Sequence, residues 1–192
     1  MRMIIGPIII SLYTSMAIFL ALAPNGARAG SADQRVYTDP ETFLSNAFQD
    51  TNVPAVKALW PNQTLREELT KILGHKPSLR FKYWGADDQT VWVLDEIGKE
   101  HPITAGVVVK NGRIASIDVL VFRESRGWEV KYEFFTNQFK DVWLKPKHRL
   151  SDNIDNITGA TLSVKAMTKM AKAALLMHQH TEFNSATVAT AR

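Results

Sequence analysis

Asn111-Gly112 sits between two apolar runs, at 107–109 and 114–122. An Asn-Gly pair so placed is the strongest short-range signal for a tight β-hairpin, because both residues tolerate the positive φ that such a turn requires. Two antiparallel strands are therefore fixed in the middle of the chain, and the rest must be built around them. Alternation slips between Ile114 and Ile117, which predicts a β-bulge or a late strand start. Further upstream, Leu79, Phe81 and Tyr83 alternate with polar residues, and 90–94 is a short β-rich run. This is the pattern of a strand meander.

Helical spacing flanks the meander on both sides. After Thr161, the residues Val164, Met167, Met170, Ala171, Ala174, Leu175 and His178 fall on one face, while Lys165, Thr168, Lys169 and Lys172 take the other. Nearer the start, Asp39-Pro40-Glu41 supplies an N-cap, a proline at the first helical position and an acid in the first turn, with Phe43, Leu44, Ala47 and Phe48 as the apolar face. Thr64-x-x-Glu67 reads as a capping box for a helix through Leu65, Leu69, Ile72 and Leu73 that ends at Gly74. Residues 128–139 fit a strand at their start and a helix at their end. The order of elements predicts an α+β fold: an antiparallel sheet of hairpin and meander packed by helices, with an N-terminal helical extension on the same core.

The first residues carry an address. Met1-Arg2 is a short basic start, 3–23 is almost wholly apolar, and Ala27-Arg28-Ala29 before Gly30 has the form of a cleavage site. Residues 1–29 are read as a secretory signal, with an uncleaved anchor as the alternative. Removing them takes away two of the 23 basic residues and no acid, leaving 21 against 19. So near a balance in an exported chain argues against a nucleic-acid partner. The chain has no cysteine, which excludes a disulfide framework, a lipoprotein anchor, thiol-bound haem and thiol catalysis. The five histidines make no metal-ligand set, and His178-x-His180 reads as the end of a helix.

One segment points to chemistry. Asp155-Asn156-Ile157-Thr158-Gly159-Ala160-Thr161-Leu162-Ser163 leads directly into the last helix. The first-turn N–H groups of a helix lack intrahelical partners, and the macrodipole adds roughly half a positive charge there, so hydroxyls and small residues at such a point suit a phosphate. The plainer alternative is a simple helix start, with Thr158 or Asp155 as N-cap and Gly159 easing the turn.

Asp155-x-x-Thr158-Gly159-Ala160-Thr161 resembles the flavinylation motif of the FMN-binding domain family, which includes extracytoplasmic flavin subunits of the sodium-pumping quinone reductase and Rnf-type complexes. The central strand–turn–strand at 106–121 is similar to that family's, Glu124-Ser125-Arg126-Gly127 resembles its Glu-Thr-x-Gly loop, and 135–140 resembles the segment before the attachment loop. The resemblance covers about residues 90–180. It implies FMN held covalently, through a phosphoester to Thr161 made by a flavin transferase. Thr158, Gly159, Ala160 and Ser163 would surround the phosphate, Asp155 would be read by the transferase, and Glu124 and Ser125 would lie near the flavin. A carboxylate at Glu124 beside the ring would lower its potential. Trp128, with Trp84, Trp92 and Trp143, is a candidate ring contact.

The implied organisation is a signal at 1–29, a linker and helical extension at 30–80, an FMN-binding domain at 81–180 and a frayed tail at 181–192. The implied role is electron transfer outside the cytoplasm, in the periplasm or on the outer face of the membrane, with a membrane redox protein as partner. No nucleophile or substrate-activating base is visible, so no catalytic residue is assigned. Two other readings stay open: a reductase that uses the flavin on a small acceptor, and an exported binding protein without flavin.

Overall fold

The central hairpin joins β5 (Pro102–Lys110) to β6 (Arg113–Phe122) in the computed structural model of the chain, which describes residues 35–49 and 52–184. Asn111 and Gly112 both take positive φ, 51° and 71°, as a type I′ turn requires. The bulge lies where the alternation slips: pairing steps from Val108↔Ser116 to Val109↔Ile114, leaving Ala115 unopposed.

β3 (Phe81–Ala86) and β4 (Gln89–Ile97) extend the meander. Short edge strands β1 (Arg35–Val36) and β2 (Lys57–Leu59) complete an antiparallel sheet of order β1-β6-β5-β4-β3-β2. The fold is α+β. On one face lie α2 (Gln63–Leu73) and the long α4 (Thr161–His178), sharing a core with Trp92, Ile103, Val107 and Ile117. α1 (Pro40–Ala47) covers the other face, where Phe43 and Leu44 meet Val91, Val108 and Leu120. Gly106 leaves the space that the Phe43 ring fills. A single shared core was expected for both early helices; α1 instead makes a second one. With both faces covered, β5 is buried without a break from Ile103 to Val109.

Asp39 caps α1 by accepting the N–H groups of Glu41 and Thr42 at 3.1 and 3.0 Å. The cap of α2 differs from the reading of Thr64. Asn62 accepts from Leu65 N at 2.9 Å, so Thr64 already lies inside the helix. Asn is an equally good cap and stands two residues earlier. Gly74, at φ 78°, closes α2 as read. Residues 128–139 form neither a strand nor one helix. Two 3₁₀ turns, Trp128–Lys131 and Asn137–Phe139, flank the single-turn α3 (Glu133–Thr136). Phe135 and Phe139 pin the segment to the core, each fully buried and each contributing about 1.5–3 kcal/mol.

Of the segment read as a frayed tail, 181–184 is packed. Glu182 accepts from Tyr83 Oη at 2.8 Å and pairs with Lys57 at 2.6 Å, and the Phe183 ring lies over Gly85. Residues 185–192 and the segment read as a signal, 1–29, lie outside the described residues. No described helix is long and apolar enough to cross a membrane.

His178 lies on the buried face of α4, as its spacing predicts. Its Nδ1 is 2.8 Å from Thr90 Oγ1, which also accepts from Trp92 Nε1 at 2.9 Å, while Nε2 is buried without a partner. Burial pushes its pKa down to about 4 against a weaker pull from Asp88. A histidine kept neutral in the fold contributes stability above pH 6.5 that is lost as pH falls towards 4, about 3 kcal/mol in all. Urea midpoints measured from pH 7 to pH 4.5 should fall, and His178→Leu should flatten that slope. His75, raised by its hydrogen bond to Glu96, acts in the opposite direction and at higher pH.

Candidate functional site

α4 begins without a side-chain cap. Ala160 holds the N-cap position, its N–H bonds back to Ile157 O at 2.9 Å, and the first turn contains no acid. Neither Thr158 nor Asp155 caps the helix, and Gly159 turns the chain at φ 85°. Thr161 is the first helical residue and is exposed. Its Oγ1 accepts from Asn156 Nδ2 at 2.9 Å, which fixes the hydroxyl at the mouth of the turn. An exposed hydroxyl over uncapped N–H groups is a geometry that welcomes a phosphate ester.

The Glu124–Gly127 loop packs against this turn. Gly127, at φ 85°, stands so close to Ser163 Oγ that a Cβ there would overlap it. Between loop and helix opens a cleft of about 640 Å³, lined by Lys99, Glu124, Ser125 and Arg126 on one side and by residues 159–163 on the other. The structure thus brings together Glu124, Ser125, Gly159, Ala160, Thr161 and Ser163. Ser163 is buried at the floor, whereas Thr158 is exposed on the turn and is not part of the lining. Asp155 lies outside too, its N–H held by Gln138 Oε1 at 2.6 Å.

The tryptophans stand elsewhere. Trp128 packs edge-on to Tyr132 with Lys131 Nζ 5.6 Å from its ring. Trp92 stacks on Tyr83 in the core, Trp84 lies on the α1 side, and Trp143 packs beneath Arg113. Of the two apolar side chains that line the cleft, Ala160 is buried and Leu162 is 43% exposed. Lys99, Arg126, Leu162 and Asn156 were not singled out from sequence. Lys99 reaches the cleft only because Glu124 anchors its turn, a contact across 25 residues.

Glu124 is a structural staple. Its Oε1 accepts the N–H groups of Lys99, of Glu100 at 2.7 Å and of His101 at 3.0 Å, binding the β4–β5 turn to the loop after β6. Burial raises its pKa, but the three donors outweigh that and hold the carboxyl below its ordinary value of 4.5. With its charge spent on these N–H groups, Glu124 exerts less field on the cleft than a free carboxylate would. Arg126 and the helix terminus give the cleft its positive character, with Lys99 beside them paired to Glu100 at 3.0 Å, and this suits an anion. Glu124→Gln should cost about 1–3 kcal/mol at pH 7. The lowered pKa means this stabilisation is present above pH 4.5 and lost as pH falls through the folded value. Denaturation curves of variant and wild type should therefore converge in acid.

Residues 98–176 match the family model described as FMN-binding domain. This part of the chain belongs to the FMN-binding domain family. The match supports FMN as the cofactor of this domain. No curated protein and no solved structure matches the chain. The FMN-binding domain so matched runs from Gly98 in the β4–β5 turn to Leu176 in α4, and it contains every residue of the cleft. β2, β3, β4, α1 and α2 precede it and pack on the same sheet.

Proposed function

We propose that this chain is an exported flavoprotein that carries FMN on Thr161 through a phosphoester and transfers electrons outside the cytoplasm. The observation that carries the reading is the exposed Thr161 hydroxyl, held by Asn156 at the start of a helix with no side-chain cap and facing a cleft with two cations. α1 and α2 both begin under a polar side chain; α4 keeps its first-turn donors for a ligand.

Attachment needs an activated donor, because hydroxide would be a poor leaving group from FMN itself. A flavin dinucleotide supplies one. The bond from Thr161 Oγ1 to phosphorus forms as the phosphoanhydride breaks, AMP leaves, and the hydroxyl proton is released. A flavin transferase would catalyse this step, reading Asp155 on the exposed turn. Once attached, the phosphate lies where the α4 N–H groups neutralise it, and Lys99 and Arg126 add cationic charge. Leu162 offers an apolar surface to the ring. The flavin supplies the electron uptake and release, and the residues bind and orient it. A covalent bond suits an exported carrier, since a dissociated cofactor would be lost to the medium. The electron donor or acceptor would be a membrane redox protein.

The chain produced with and without a flavin transferase, then unfolded in detergent, tests this reading. Yellow fluorescence that stays with the denatured band only when the transferase is present is the expected result. A label that washes away on unfolding would leave FMN bound without a covalent link.

A further inference from the structure

The outward stripe of α4 continues beyond the flavin site as a basic surface. Thr161, Lys165, Thr168 and Lys172 recur at four, three and four residues, so they lie along one side of the helix, with Lys172 about 16 Å from Thr161 along its axis. Beside this stripe stands a two-stranded ribbon of β7 (Leu144–Lys145) and β8 (Arg149–Leu150). Two clefts of about 430 and 460 Å³ open between ribbon and helices, and Lys172 lines both. Lys145 and Arg149 line the first, and Lys71 and Lys147 the second.

We infer that the concave basic face of Lys71, Lys145, Lys147, Arg149, Lys165 and Lys172 is the docking surface for an acidic segment of a protein partner. Among the described residues none of these six cations is in an ion pair. The acids nearby are Asp152, which accepts from Ser151 Oγ at 2.6 Å, and Glu68, 3.8 Å from His148 Nε2. Six cations against two acids, in a chain whose charge is otherwise nearly balanced, is a concentrated field that steers an anionic partner. The ribbon tip is strained as well: Lys147 and His148 adopt φ of 60° and 53°, a conformation that non-glycine residues rarely take. Shape favours a protein segment over a bilayer. The surface is walled by α2, α4 and the ribbon, and the exposed aromatic nearest to it, Trp143, packs beneath the Arg113 guanidinium at 4.1 Å. Among the described residues, the apolar side chains that line the two clefts, Ile72, Leu150 and Ile154, are buried or half-buried and offer little to insert among lipids. If Thr161 carries the flavin, the partner docks beside it, as electron transfer requires.

A labelled polyglutamate peptide, followed by fluorescence anisotropy against the full chain, tests it. Binding at low ionic strength that weakens with salt is expected, with a loss of about tenfold or more in Lys147→Glu/Lys172→Glu. Lys82→Glu/Lys110→Glu removes the same charge from exposed positions elsewhere and should change affinity less than twofold. Should the glutamate pair melt early, Lys147→Ala/Lys172→Ala should still lose binding. The Thr161→Ala chain should bind the peptide like wild type, which separates failure here from failure of the flavin reading. Absence of wild-type binding, or equal losses in the two charge pairs, would overturn the inference. So would dependence on Lys147 and Lys172 seen with phosphatidylglycerol vesicles and not with the peptide, since that would assign the face to a membrane.

Discussion

Thr161→Ala is expected to yield a colourless protein after co-production with a flavin transferase, with a fold and melting temperature close to those of wild type. Position 161 is exposed, alanine is the best helix former, and the side chain caps nothing. What the substitution removes is one hydroxyl and the Asn156 hydrogen bond, about 1 kcal/mol. Loss of label would therefore be a chemical effect. Thr161→Ser keeps the nucleophilic oxygen and should keep the label, as should Thr158→Ala and Ser163→Ala. In-gel fluorescence of the four denatured proteins, beside their thermal melts, reads both quantities at once. Label retained by the alanine variant would move the attachment to another residue.

Gly127→Ala should be far more damaging than an alanine at any other turn of similar backbone. Its φ of 85° costs an L-residue about 1–2 kcal/mol. The added Cβ would also overlap Ser163 Oγ and approach the Ala160 Cα at 3.4 Å, for a further 1–3 kcal/mol or so. Relief requires the loop to lift from the helix, carrying Ser125 and Arg126 away from Thr161. A total loss of roughly 2–5 kcal/mol in urea titrations is expected, together with slower flavin attachment in a timed reaction with purified transferase. Gly112→Ala is the control. It has a similar φ of 71° but open space around it, so it should show the backbone cost alone and label at the normal rate. Equal effects of the two substitutions would mean that the loop–helix contact does not shape the cleft.

Local signals in the sequence were read well because local physics produces them. Asn111-Gly112 needs only its own backbone preferences to turn a hairpin, the slip at Ile114 marks the bulge, and the spacing after Thr161 marks out α4 as far as His178. Asp39-Pro40 caps a helix wherever it stands. Features that depend on distant partners were not legible. Glu124 lines the cleft, but that its carboxylate also binds three N–H groups some 23–25 residues earlier has no local signature. Trp128 was drawn in by its place after the loop, but the 3₁₀ turn that Phe135 and Phe139 anchor carries it to Tyr132. α1 and α2 share an amphipathic pattern, and no pattern says which face of a sheet a helix will choose. Lys99, Arg126 and Asn156 gain meaning only once the loop, the turn and the helix start stand together.

The central claim is that one particular hydroxyl, the first residue of α4, bears the flavin. Peptide mass spectrometry on the protein co-produced with a transferase addresses it directly, because the segment offers Thr158, Thr161 and Ser163 as competing oxygens within six residues. An added mass of one FMN less one water is expected, with fragment ions that place it on Thr161 alone. The same mass on Thr158 or Ser163, or an unmodified segment from protein whose transferase is active, would contradict it.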